Sequence, residues 1–195
     1  MKHYTLTLAC AAGLFGLMLP PSALADTWNH KTKLTFNEPI ELPGKVLPAG
    51  TYTFKLMDSQ SDRHIVQVWN ADETQLEDTV LTVPDKRLKA TGKTVVKFSE
   101  RPSGSPEALK AWFYPGALYG EQFVYPHDRA TEISKANKQP VFSTRSDMSS
   151  YMSKRMDSDQ DSAATEMRKA PVKAIQPTGE EIEIFELYRI PGKSR

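Results

Sequence analysis

The three histidines that follow the N-terminal segment are the first candidates for chemistry: His30, His64 and His127. An imidazole can serve as a general base or a metal ligand when a carboxylate orients it. No two of these residues have the H-x-x-x-H or H-x-H spacing of a local metal site, so only the tertiary structure could bring one of them to a partner. These histidines leave one enzymatic function possible, that of a hydrolase or isomerase with a His/carboxylate site. A strand start at His64 and a helix start at His127 explain these residues without catalysis, and we predict no catalytic residue.

Three aspartates have the spacing of the first ligands in a calcium-binding loop: Asp157, Asp159 and Asp161. The rest of that motif is missing. Its sixth position is Ser162, where the loop needs glycine, and its twelfth is Arg168, where it needs a bidentate glutamate. The pattern therefore predicts a solvated acidic run.

A methionine stripe is the second possible metal site. Met148, Met152 and Met156 recur at every fourth position, and Met167 follows them. On a helix the first three would share one face, and their thioethers could bind Cu(I). The same stripe would suit an adaptable apolar contact with a partner. No histidine accompanies it, so copper binding stays a second alternative function, and we predict no metal ion or cofactor.

The densest aromatic segment has six aromatic residues within 14 positions: Trp112, Phe113, Tyr114, Tyr119, Phe123 and Tyr125. An exposed aromatic platform would bind a sugar ring or a peptide by stacking. Neighbouring residues of a strand point to opposite faces, so about half of these side chains belong to a core. The candidate ligand-binding residues are Trp112, Tyr114, Tyr119 and Tyr125.

Short strands must position these residues. The stretch 51–56 alternates polar and apolar side chains, and 64–69 follows it after a polar turn, which is typical of a β-hairpin. Further strands are predicted over 33–36, 77–83, 94–98, 110–114 and 121–125. This spacing predicts an all-β fold, an antiparallel β-sandwich of immunoglobulin-like or jelly-roll-like type, over residues 26–127. No glycine-rich nucleotide-binding loop interrupts the strands.

The C-terminal third of the chain has a different pattern. Asp128 is predicted to cap a short helix over 129–137, within a helix and extension spanning 128–142. Residues 143–170 are polar and poor in aliphatic side chains, so they are predicted to form a flexible linker. Residues 171–195 are predicted to form a terminal β-hairpin.

The N-terminus has the pattern of a secretory signal peptide, residues 1–25. An apolar run over 6–19 precedes the Pro20-Pro21 break, and small residues lead to a predicted cleavage after Ala25. The single cysteine, Cys10, would be removed with it, so the mature chain would have neither disulfide nor thiol chemistry. The protein is therefore expected to be secreted or periplasmic, with no transmembrane segment in the mature chain.

Charge and hydropathy exclude two classes of protein. The chain has 25 basic and 24 acidic residues, and this balance lacks the basic field that nucleic-acid binding requires. A mean hydropathy of −0.49 excludes a membrane protein of many spans.

Three stretches of the sequence carry a family resemblance: 47–54 (LPAGTYTF), 104–116 and 119–126 (YGEQFVYP). Together they resemble a family of secreted proteins common in acidobacteria that has no established activity. The resemblance spans about residues 27–143. It implies export and a β fold, and it supplies no catalytic residues. Some members resemble surface proteins with an apolar C-terminal anchor, whereas the last four residues here are polar.

These observations together predict a non-catalytic binding or structural module of the cell envelope. The expected partner is an envelope polysaccharide or protein. The first alternative is an envelope hydrolase or isomerase with a His/carboxylate site.

Overall fold

The computed structural model describes residues 31–57, 63–158 and 161–184 of the chain, and the backbone of 24–26. These residues form a mostly β protein with a large sheet, a second sheet and a few short helices. The strands are β1 (Leu24–Asp26), β2 (Lys31–Phe36), β3 (Ile40–Glu41), β4 (Val46–Leu47), β5 (Gly50–Leu56), β6 (His64–Asn70), β7 (Leu76–Lys86), β8 (Val95–Ser99), β9 (Glu107–Phe113), β10 (Tyr119–Phe123), β11 (Tyr125–Pro126), β12 (Val141–Thr144), β13 (Lys173–Ile175) and β14 (Glu181–Glu183). The helices are α1 (His127–Asn137), a 3₁₀ helix (Ser146–Tyr151) and α2 (Ser162–Lys169).

The large sheet has the strand order β1-β2-β5-β6-β7-β10-β9-β3-β4, with β8 paired to β9. Its pairs are antiparallel apart from β3 and β9, which are parallel. The predicted hairpin of β5 and β6 is present, with Phe54 opposite Val68. The alternation of apolar and polar residues explains why these segments form strands. Side chains two residues apart in a strand point to the same face, so the apolar ones can be buried together.

The large sheet curls strongly around its core. Strands β5 and β9 are four steps apart in the strand order, which would separate them by ~19 Å in a flat sheet. The rings of Phe54 on β5 and Trp112 on β9 nevertheless have centroids 5.6 Å apart. Phe36 on β2 and Phe98 on β8 are 6.2 Å apart. The concave face therefore closes on itself and encloses the main apolar core.

The second sheet has the order β11-β12-β13-β14 and packs beside the first. Its first pair is parallel, since α1 connects β11 to β12. The last pair, β13 and β14, is an antiparallel hairpin that extends this sheet within the same chain. The turn of the hairpin contains Gly179 with φ of +89°, a conformation that favours glycine.

Within the segment predicted as a flexible linker, 143–170, the described residues 143–158 and 161–170 instead form a layer over the convex face of β6 and β7. Its four methionines are buried, together with Ala164 and Ala170, against Ile65 and Leu81. Backbone and side-chain hydrogen bonds attach the layer: Thr79 N donates to Met152 O (2.6 Å), and Gln67 Nε2 donates to Met156 O (2.8 Å). The polar composition led to the wrong prediction because a few well-placed methionines supply the burial that offsets the ordering entropy.

Helix α1 begins two residues earlier than predicted. Pro126 occupies its N-cap position, and Asp128 lies in the first turn without capping. Proline fits this place because it has no N–H to satisfy and a fixed φ. Asp128 still interacts favourably with the helix dipole.

The predicted signal-peptide cleavage after Ala25 lies within β1, whose three residues pair with β2. Residues 1–23 of the predicted signal peptide, and 185–195 of the predicted terminal hairpin, lie outside the described residues. In the part of the chain that is described, the helices are too short and too polar to cross a membrane.

Candidate functional site

The open end of the concave face contains a cleft of about 460 Å³. Its walls are mostly apolar, and its imidazole and carboxylate, from His64 and Glu121, come from two strands of the large sheet. The lining residues are Leu56, His64, Tyr114, Pro115, Gly116, Ala117, Tyr119, Gly120 and Glu121. A volume of this size is ordinary for small-ligand clefts, which span ~300–1,000 Å³.

Two of the lining residues, His64 and Glu121, form a hydrogen-bonded group with Thr82, which is buried and does not line the cleft. The register places His64 on β6 directly opposite Thr82 on β7. Glu121 is two residues before Phe123 on β10, so the two side chains point to the same face, and Phe123 is opposite Thr82. All three side chains therefore share the concave face.

Glu121 is anchored from two sides. His64 Nδ1 lies 2.9 Å and 3.0 Å from its two carboxylate oxygens, and Thr82 Oγ1 donates to Oε2 at 2.7 Å. A carboxylate only accepts hydrogen bonds, so the imidazole carries its proton on Nδ1. The Glu121 side chain is 7% exposed, whereas that of His64 is 25% exposed. The pair is therefore a rigid polar patch whose imidazole reaches the cleft.

The four predicted aromatic residues separate into two groups. Trp112 and Tyr125 are buried in the core, with 0% and 2% of their surface exposed, so they do not form the predicted exposed platform. Tyr114 is 8% exposed and Tyr119 is 60% exposed, and both line the cleft. Burial raises the pKa of Tyr114, and the Glu121 carboxylate adds to this effect. Of these four residues, only Tyr119 has a ring that is exposed to solvent.

Tertiary packing explains the two buried rings. The Trp112 ring contacts Phe54, and its centroid lies 4.5 Å from that of Tyr114. The single proton of the Tyr125 hydroxyl is within hydrogen-bond distance of two backbone carbonyl oxygens, with Leu109 O at 2.8 Å and Glu41 O at 3.1 Å. Side-chain alternation correctly put Trp112 and Tyr114 on one face, but that face is the one the curled sheet covers.

Phe113 faces the opposite side and is also buried. Gly120 lies opposite it on β10, and the Phe113 ring covers the backbone there. An added Cβ at Gly120 would lie 2.4 Å from Trp112 O and 2.5 Å from the Phe113 ring. The cleft wall between Tyr119 and Glu121 therefore depends on a glycine for close strand packing.

His127 lies in a separate, more polar cleft of about 260 Å³ between α1 and the second sheet. Its Nε2 is 2.9 Å from Glu181 Oε1, and Lys173 Nζ is 2.9 Å from Glu181 Oε2. The hydrogen bond from Lys173 lowers the pKa of Glu181, and His127 contributes in the same direction. The two clefts have no lining residue in common, so His64 and His127 do not converge. His30 lies outside the described residues.

The remaining metal candidates that the structure describes have structural roles, and Asp159 lies outside the described residues. The thioethers of the methionine stripe pack with Phe142 and Val172 in the layer over the convex face. Asp161 caps α2 by accepting from Ala163 N at 2.8 Å, and Asp157 pairs with Arg155 at the surface. Residues 31–57, 63–158 and 161–184 contain no group of three or more His, Cys, Asp or Glu side chains that could hold a metal ion.

Sequence reasoning missed Glu121 and a second buried acid, Glu41. Arg101 and Arg129 both donate to Glu41, which is 2% exposed, and the contact joins α1 to β3. A signal for Glu121 was present in the sequence: it alternates with Phe123 and thus occupies a core-facing position. A charged residue at such a position is rare unless it is paired.

Comparisons with protein families, curated proteins and solved structures found no match for this chain.

Proposed function

We propose that this protein is a secreted or periplasmic binding module of the cell envelope, and that the cleft at the open end of the large sheet holds its ligand. The observation that carries the proposal is the cleft itself, in which the exposed Tyr119 ring stands beside the anchored His64–Glu121 pair. In this proposal the two halves of the curled sheet act as the layers of a β-sandwich. The contacts of Phe54 with Trp112 and of Phe36 with Phe98 support that arrangement.

The ligand that suits this cleft best is a sugar ring of an envelope glycan. The apolar face of a pyranose stacks on an aromatic ring, and its hydroxyl groups need polar partners. Tyr119 provides the ring, while the Glu121 carboxylate and the His64 imidazole provide the polar partners. Leu56 and Ala117 complete an apolar wall that excludes water from those hydrogen bonds.

The test is calorimetric titration of the mature protein with soluble N-acetylglucosamine oligomers and peptidoglycan fragments. We expect binding that Tyr119→Ala and Glu121→Gln each weaken at least about tenfold, the value of one lost stacking or charged hydrogen-bond contact. Tyr151→Ala is the control, because it removes a tyrosine that does not line the cleft. Each of the two rings has a lysine over it: Lys154 Nζ is 4.5 Å from the centre of the Tyr151 ring, and Lys86 Nζ is 5.6 Å from the centre of the Tyr119 ring. Absence of glycan binding, or equal binding by all three variants, would refute the glycan proposal.

A second candidate function, a hydrolase or isomerase, is favoured by one observation. The carboxylate of Glu121 orients the imidazole of His64, as a general base requires. Against it, the described lining of the cleft contains no serine, threonine or cysteine nucleophile. Turnover of a bound glycan that His64→Gln abolishes, with binding retained, would establish the enzyme in place of the binding module.

A further inference from the structure

Two segments beside the mouth of the cleft, 84–93 and 114–119, form one surface held together by hydrogen bonds. The first contains the end of β7, up to Lys86, and the loop after it, and the second contains the loop before β10 and its first residue, Tyr119. We call them the first loop and the second loop. The Arg87 backbone N–H donates to Leu118 O at 2.9 Å, and its guanidinium donates to Ala117 O at 2.7 Å. Gly116 N donates to the backbone of the first loop at 2.7 Å. The side chains of both loops are therefore presented from a fixed backbone.

This surface exposes apolar side chains to an unusual degree. Among the residues whose side chains are described, the exposed large hydrophobic ones are Val46, Leu88, Leu118 and Tyr119, and the last three lie on these two loops. Leu88 is fully exposed at the tip of the first loop, and Leu118 is 41% exposed beside it. Exposed leucines held out by a rigid backbone are typical of an interaction surface.

The same surface is basic, although the whole chain is nearly neutral. Residues 84–93 contain four cationic side chains and one carboxylate, Asp85, which pairs with Lys97. Three of the cations, Lys86, Lys89 and Lys93, are exposed and lie within five residues of Leu88 in the sequence. The second loop has no charged residue. We name the five side chains together the loop patch: Lys86, Leu88, Lys89, Lys93 and Leu118.

We propose that the loop patch docks on an anionic phospholipid bilayer. Lysines attract the negative lipid surface, and the exposed leucines of the patch enter the boundary between headgroups and acyl chains. A soluble polyanion would satisfy the lysines but would leave Leu88 in water, so the combination favours lipid. Pro115, Gly116 and Ala117 line the cleft and belong to the second loop, so docking would hold the cleft mouth close to the membrane surface.

Vesicle co-sedimentation of the mature protein tests this proposal. We expect binding to phosphatidylcholine vesicles with about 30% phosphatidylglycerol, and at least about tenfold weaker binding to phosphatidylcholine alone or at high salt. Leu88→Ser is expected to weaken binding about tenfold, because it removes the most exposed of the described apolar side chains. Lys89→Gln combined with Lys93→Gln is expected to weaken it by a similar factor.

Two matched controls come from elements outside the loop patch. Val46→Ser removes an exposed apolar side chain on β4, and Lys135→Gln with Lys138→Gln removes two exposed cations from the end of α1. Both are expected to bind vesicles like the unchanged protein. Glu121→Gln is also expected to bind vesicles normally, so failure of the glycan proposal and failure of this one are distinguishable.

Three results would overturn the proposal. The first is equal binding to neutral and anionic vesicles. The second is vesicle binding that Leu88→Ser leaves intact. The third is heparin binding as tight as vesicle binding, lost with the lysines and unaffected by Leu88→Ser, which would identify a polyanion as the partner.

Discussion

The buried carboxyl of Asp78 should make the stability of this protein depend on pH. Asp78 lies on β7 with 1% of its surface exposed, and its oxygens accept from Gly44 N and Thr79 N, each at 3.0 Å. Burial raises its pKa from 3.8 to about 7, against the opposing effects of these two hydrogen bonds and of Lys45. The folded protein therefore holds this proton more tightly than the unfolded chain does.

The sign and size of the effect follow from that difference in pKa. A group with a raised folded-state pKa contributes stability that is complete below its unfolded pKa, near 4, and is lost as the pH rises through about 7. A shift of about three pKa units corresponds to ~4 kcal/mol in the free energy of unfolding, since each unit is worth ~1.4 kcal/mol. The Asp78 contribution should thus decrease steadily between about pH 4 and pH 7.

Urea unfolding of the unchanged protein and of Asp78→Asn at several pH values between about 4 and 8 measures this contribution. Asparagine does not ionise, so its stability should change less with pH. At low pH the variant should be less stable by ~1 kcal/mol, because its amide group accepts only one of the two backbone hydrogen bonds. Asp72→Asn, at an exposed turn position, is the control. If the difference between the unchanged protein and Asp78→Asn is the same at pH 5 and pH 8, burial does not dominate the pKa of Asp78.

Three further substitutions test the packing. Gly120→Ala should lower the free energy of unfolding by ~1–3 kcal/mol in a urea titration, because the new Cβ would lie 2.4 Å from Trp112 O. The control is Gly92→Ala, which should leave the free energy of unfolding unchanged because no atom lies within 4 Å of the added Cβ. Met152→Ala should cost ~2–5 kcal/mol by thermal or urea unfolding, since this side chain is 1% exposed; an unchanged midpoint would mean that the methionine layer does not pack on the sheet. Tyr125→Phe should cost ~1 kcal/mol, because its hydroxyl donates a hydrogen bond to the backbone in the core, and no loss would show that hydrogen bond to be unimportant.

The strands were the most predictable part of the fold. The alternation in 51–56 and 64–69 corresponds to β5 and β6, and the run at 94–98 corresponds to β8. Strand formation depends mainly on the two-residue period and on β-branched and aromatic side chains, which the sequence displays directly. The parallel pairing of β3 with β9 was not predictable, because no local feature records which distant strand will lie at an edge.

The methionine layer was predicted incorrectly for a similar reason. Residues 143–170 have few aliphatic side chains, and taken alone they could not offset their ordering entropy. The apolar partner they need, the convex face of β6 and β7 with Ile65 and Leu81, lies far away in the sequence. Hydrogen bonds from Gln67 and Thr79 to this layer also connect residues that no local pattern relates.

The candidate site was half predictable. Tyr114 and Tyr119 were selected because aromatic residues with polar groups suit ligand stacking, and both line the cleft. Trp112 and Tyr125 were selected by the same rule and are core residues. The rule identifies side chains that share a face, but it does not tell which face water reaches.

The sequence by itself determined where the backbone is extended, where it turns and which side chains alternate across each strand, because these properties depend on a residue and its nearest neighbours. Only the tertiary structure decided that one face of the sheet closes into a core and that a cleft remains at its open end. The pairing of His64 with Glu121, 57 positions apart, belongs to this second category. Its physical reason is the pairing of β6 with β7 and of β7 with β10, which joins strands that are distant in the sequence and places both side chains on one face.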